Sequence, residues 1–79
     1  MLLERFLNGE IYCECTTDLD RIKMCDLLED IGVKIFSRAE IRMYAFKHFA
    51  VNDGSLYIVT CAFKPCIGFN EIFNEDYRK

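Results

Sequence analysis

The sequence predicts one α+β domain over residues 1–79: a small mixed or antiparallel sheet, in the order strand, helix, strand and then β-hairpin, with one main amphipathic helix. Three observations predict it. Residues 10–16 (EIYCECT) set Ile11, Cys13 and Cys15 against Glu10, Tyr12 and Glu14, the two-residue period of a half-buried strand. Residues 17–32 carry apolar side chains at helical spacing. Residues 46–51 and 56–63 are apolar, aromatic and β-branched runs on either side of Asn52-Asp53-Gly54-Ser55, whose residues tolerate positive φ.

Each element has a local reason. Thr17 is a good helix N-cap, and Asp18 and Asp20 fall in the first turn, where carboxylates meet the positive end of the helix dipole. Leu19, Ile22, Cys25, Leu28 and Ile31 follow at spacings of three, joined by Met24 and Leu27, and Gly32 supplies the stop. Asp26, Glu29 and Asp30 lie three and four apart on the opposite face, a small acidic patch of the kind that is usually plain solvated surface. Residues 33–36 (VKIF), apolar at alternate positions, read as the second strand of a β-α-β unit, parallel to the first if the two are neighbours.

Two segments admit both structures. In residues 37–49, Ser37-x-x-Glu40 has the form of a capping box, whereas Tyr44 and Phe46 favour a strand. In residues 67–77, Phe69, Ile72, Phe73 and Tyr77 fit a helix, while Ile67, Phe69, Glu71 and Phe73 fit an edge strand. The hairpin between them predicts antiparallel pairing, and Lys64-Pro65 closes its second run because proline has no N–H to give the ladder. No internal repeat or low-complexity tract interrupts the chain.

Composition narrows the functional classes. Hydrophobic residues make up 52% of the chain and aromatics 14%, enough for a core and far from the composition of disordered segments. No apolar run approaches the roughly 20 residues a membrane span needs. The first residues, Met1-Leu2-Leu3-Glu4-Arg5, lack the basic-then-apolar form of a secretory signal, so the expected location is cytoplasmic. Five cysteines, an odd number, are then expected as reduced thiols.

The net charge of −3 hides a gradient. Residues 1–31 hold eight acids and three bases, and residues 32–64 hold five bases and two acids. Affinity for phosphate backbones comes from clustered Lys and Arg, so an acidic first half disfavours direct nucleic-acid binding and suits a partner protein with a basic surface.

No set of residues composes a catalytic centre, and the expectation is a non-enzyme without cofactor or metal. His48 is the only histidine, so a Cys-His nucleophile pair would depend on it alone. Pairs such as Asp26 with Asp30, or Glu75 with Asp76, lack the cleft that acid-base work requires. The isolated Gly9, Gly32, Gly54 and Gly68 make no phosphate cradle. Cys13-x-Cys15 with Cys61 and Cys66 is the nearest approach to a zinc quartet, but the spacing is not that of a tight turn, and the plainer reading makes Cys13, Cys15, Cys25 and Cys61 small core residues. Lys34, Phe36, Arg38, Arg42, Tyr44, Phe46 and Lys47 interleave aromatics with bases, the raw material of a nucleic-acid surface, or more plainly buried rings with an exposed basic rim.

Taken together, Phe6-x-x-Gly9-Glu10-Ile11-x-Cys13-x-Cys15-Thr16-Thr17, the acid-started helix, Gly32-Val33-Lys34 and Gly54-Ser55-Leu56-Tyr57 resemble a style of short protein encoded by bacteriophages and prophages. Gly68-Phe69-Asn70-Glu71-Ile72 resembles its closing strand only loosely. The resemblance extends in size and charge to inhibitors of host defence, anti-CRISPR proteins among them. It implies a phage or mobile-element protein that binds and inhibits a host protein, with a defence nuclease as the expected class. An acidic surface would occupy a basic groove. The candidate residues are Glu14, Asp18, Asp26, Glu29 and Asp30, together with Glu71, Glu75 and Asp76. A nucleic-acid-binding module using the basic-aromatic segment and a zinc-stabilised module are the alternatives, and an exposed sheet edge would allow a homodimer.

Overall fold

In the computed structural model, which describes residues 1–43 and 46–73, the elements are α1 (Leu2–Leu7), β1 (Tyr12–Glu14), α2 (Asp18–Asp30), α3 (Arg38–Met43), β2 (His48–Asn52), β3 (Ser55–Ile58), β4 (Cys66–Gly68) and α4 (Phe69–Ile72). The sheet is mixed, in the order β3-β2-β1-β4, and the fold is α+β.

Turn chemistry builds the hairpin. Asp53 and Gly54 take φ of 52° and 75°, the paired positive values of a type I′ turn, and Asn52 faces Ser55 across it. Antiparallel pairing follows as expected, but β3 stops at Ile58 instead of running to residue 63. A Cβ at Gly54 would meet nothing, so Gly54→Ala is expected to cost only the left-handed backbone strain of about 1–2 kcal/mol. Thermal melting followed by circular dichroism checks it, and an unchanged midpoint would contradict the I′ assignment.

Across the four strands one row of side chains faces the core: Ile67 is registered with Cys13, Cys13 with Phe49, and Phe49 with Ile58. Tyr12, on the other face of β1, is buried instead under the ring of Phe63, edge-on at 5.9 Å.

The parallel neighbour of β1 is β4, not the segment after the helix. Both edges of β1 are occupied, by β2 and β4, so residues 33–36 reach the sheet at its far side and form no strand. Only Lys34 pairs there, donating its N–H to the Gly54 carbonyl and accepting from the Leu56 N–H at 2.9 Å.

In α2, Thr17 is extended at φ −127° and its Oγ1 accepts from the Asp20 N–H at 3.1 Å, and Gly32 follows the helix at φ 92°. The buried face is narrower than the apolar spacing suggested. Met24, Cys25 and Leu28 are buried, but Leu19 and Ile31 are 57% and 42% exposed. Steps of three residues fall about 60° short of a full turn, so five such positions sweep around the helix and its two ends leave the core. Arg21 takes the vacated place, 6% exposed, with Nη1 donating to the Phe46 carbonyl at 3.2 Å.

The two ambiguous segments each contain both structures in succession. Ser37 Oγ accepts from the Glu40 N–H at 3.2 Å and opens α3, after which β2 begins at His48; Tyr44 lies outside the described residues. The tail begins as the edge strand β4 and turns at Gly68 into α4, with Tyr77 again outside the described residues.

The helix α1 has no counterpart in the predicted elements. Its Phe6 is fully buried, edge-on to Phe73 at 6.2 Å, and Phe73 packs on Phe69 at 5.0 Å. Gly9 then turns the chain at φ 79°, where a Cβ would come within 3.3 Å of the Val51 carbonyl oxygen. Among the described residues no helix is long and apolar enough to cross a membrane.

Candidate functional site

The acidic α2 and the basic segment after it complement each other. Arg42 on α3 clasps the Asp18 carboxylate with Nη2 at 2.9 Å and Nε at 3.2 Å. Arg38, one turn earlier, donates Nη2 to Asp26 at 2.8 Å and also to Glu29. Three of the candidate acids are therefore bonded to the chain's own arginines, and much of the charge gradient along the sequence is spent on docking α3 against α2. The Arg42 hydrogen bond holds the Asp18 carboxyl below its ordinary 3.8. A carboxylate with a depressed pKa contributes stability that is present above its unfolded value and is lost as pH falls through the folded one. Asp18→Asn is accordingly expected to weaken the acid dependence of stability at and below about pH 3.8, a flattening that urea melts across the acid range would detect.

The remaining candidate acids are distributed. Glu14 on β1 faces His48 on β2, with Nε2 to Oε2 at 3.9 Å, and both side chains are part-exposed. Asp30 is exposed at the end of α2, and Glu71 is exposed on α4. Glu75 and Asp76 lie outside the described residues.

The thiols separate into two environments. Cys13, Cys15 and Cys25 are buried, and burial pushes the Cys25 thiol up to about 11. Cys61 is exposed, contrary to the expectation of a core residue, because β3 ends at Ile58 and the chain leaves the sheet after Val59, whose N–H still donates to the His48 carbonyl. Cys66 is registered with Tyr12, so it faces away from Cys13. The four cysteines of the zinc alternative do not converge, and among the described residues no three His, Cys, Asp or Glu side chains group as a metal site.

A surface that sequence reasoning did not single out lies at the β3 edge. Phe36 and Tyr57 are 75% and 44% exposed, with ring centroids 6.3 Å apart. With Ser37, Glu40, Ile41 and Ile58 they line a shallow groove. The alternation of an antiparallel ladder points the backbone of Ile58 outward, the same way as Leu56, but the chain that covers Leu56 departs after Lys34. The groove is thus apolar, aromatic and beside an open sheet edge, with the Arg38–Asp26–Glu29 cluster on the neighbouring helices. The signal for it was in VKIF: Phe36 shares parity with the solvent-facing Lys34, not with the buried Val33.

No protein-family model, no curated protein and no solved structure matches this chain.

Proposed function

We propose that the chain is a non-enzymatic binding protein from a phage or mobile element, which docks on a host protein with a basic surface and inhibits it, as the anti-CRISPR proteins it resembles in size and charge inhibit defence nucleases. The observation that carries the binding reading is the exposed Phe36–Tyr57 pair at the open β3 edge. Large aromatic rings are the side chains that anchor protein interfaces, and leaving two of them in water side by side costs solubility unless a partner covers them. Glu40 lines the same groove, and Glu14, Asp30 and Glu71, distributed over the rest of the surface, add negative charge suited to a basic partner.

The internal pairing of Arg38 and Arg42 favours this reading over a nucleic-acid module, which would need those guanidiniums free to meet phosphates. Two measurements separate the readings. A gel shift at low salt should show no complex with DNA or RNA, and a shifted band would overturn the preference. A complex recovered with a basic protein should weaken as salt rises, because exposed charge pairing is screened; indifference to salt would remove the acidic residues from the account.

A further inference from the structure

Three sulfur atoms meet in the core between β1 and α2. The two-residue period of the strand puts Cys13 and Cys15 on one face, with their Sγ atoms 4.0 Å apart. Met24, in the second turn of α2, brings Sδ to 3.8 Å from Cys15 Sγ. All three residues are fully buried. A metal–sulfur bond of about 2.3 Å places the donors of a three-coordinate ion about 4.0 Å from one another. Two of the sulfur pairs, Cys13–Cys15 and Cys15–Met24, already stand at that spacing.

We propose that Cys13, Cys15 and Met24 form a binding site for a soft, monovalent metal ion of the Cu(I) class. Thiolate and thioether together select Cu(I) over hard ions, and a thioether is not among the usual ligands of zinc. On uptake two S–H bonds break and two sulfur–metal bonds form, the Met24 thioether donates a lone pair, and two protons leave to solvent with no electron transferred. Because uptake releases protons, it strengthens as pH rises. The two thiolates leave one net negative charge, and the positive end of the α2 dipole, capped by Thr17, follows two residues beyond Cys15. Because the site is closed to solvent, the ion reaches it through local opening of α2 from β1, and loading is slow compared with that of a surface site.

The test uses the full chain carrying Cys61→Ser and Cys66→Ser, which removes the two thiols outside the core. It is titrated with Cu(I), without oxygen, against the chromogenic chelator bicinchoninate. The expected result is a single Cu(I) withheld per chain, a thiolate-to-metal band in the ultraviolet, and a raised melting midpoint from binding to the folded state alone. Cys13→Ala should abolish the capture. Met24→Leu, which conserves volume and keeps the fold, should weaken it by about tenfold, the scale on which losing one supporting group costs metal affinity. Zn(II) should leave the midpoint unchanged. Failure to withhold Cu(I) from the chelator, capture by folded Met24→Leu equal to that of its parent, or stabilisation by Zn(II) equal to that by Cu(I) would each overturn the proposal.

Discussion

Phe6→Ala is expected to remove about 3–5 kcal/mol of stability, the cost of truncating a fully buried phenylalanine that the surroundings cannot collapse around. A chain of 79 residues has a total stability of about 4–12 kcal/mol at typical per-residue values, so this one change would bring the protein close to its folding limit. The loss would be large because the ring does two things at once. It ties α1 to the sheet, and its edge meets Phe73, which in turn stacks on Phe69 of α4. Both ends of the described chain are thereby closed over one side of the core. Equilibrium urea unfolding measures the change. A loss under about 1 kcal/mol, the scale of an ordinary surface substitution, would mean that α1 is only loosely attached.

The second large effect is on binding. Phe36→Asp removes an exposed ring and places a charge at the centre of the β3-edge groove. A central aromatic anchor is worth about 2–4 kcal/mol when truncated, which is a loss of about 30- to 1,000-fold in affinity. Stability should barely move, because the ring is mostly in water already. A variant that unfolds, or one that binds as before, would both remove Phe36 from the anchor role.

Much of the fold was legible from local chemistry. The Asp53-Gly54 turn, the Thr17 cap and the alternation of Ile11, Cys13 and Cys15 are short-range features, and the structure contains all three. The failures are non-local. Which strand lies parallel to β1 depends on who occupies its edges, and nothing in residues 33–36 records that β2 and β4 arrive there first. The helix α1 is too short for a periodic signal, and its place is fixed by Phe73, far along the chain. Arg21 sits in the core because of a carbonyl at Phe46, a partner that spacing within α2 does not reveal.

The candidate site shows the same division. The acids of α2 were visible as a patch, but their pairing with Arg38 and Arg42 required α3 to fold back on α2, so composition alone overstated the free negative charge. The groove at Phe36 and Tyr57 joins residues from separate elements that meet only because Lys34 bridges to Ser55.

The most direct test of the binding account is affinity capture from a bacterial lysate, run in parallel with the native chain, Phe36→Asp and the exposed control Glu4→Gln on α1. The native chain and the control should retain the same basic, nucleic-acid-handling protein in a salt-labile complex, and Phe36→Asp should lose it. Recovery of no such protein, or equal recovery by Phe36→Asp, would contradict the claim that this chain works by docking its aromatic edge on a basic partner.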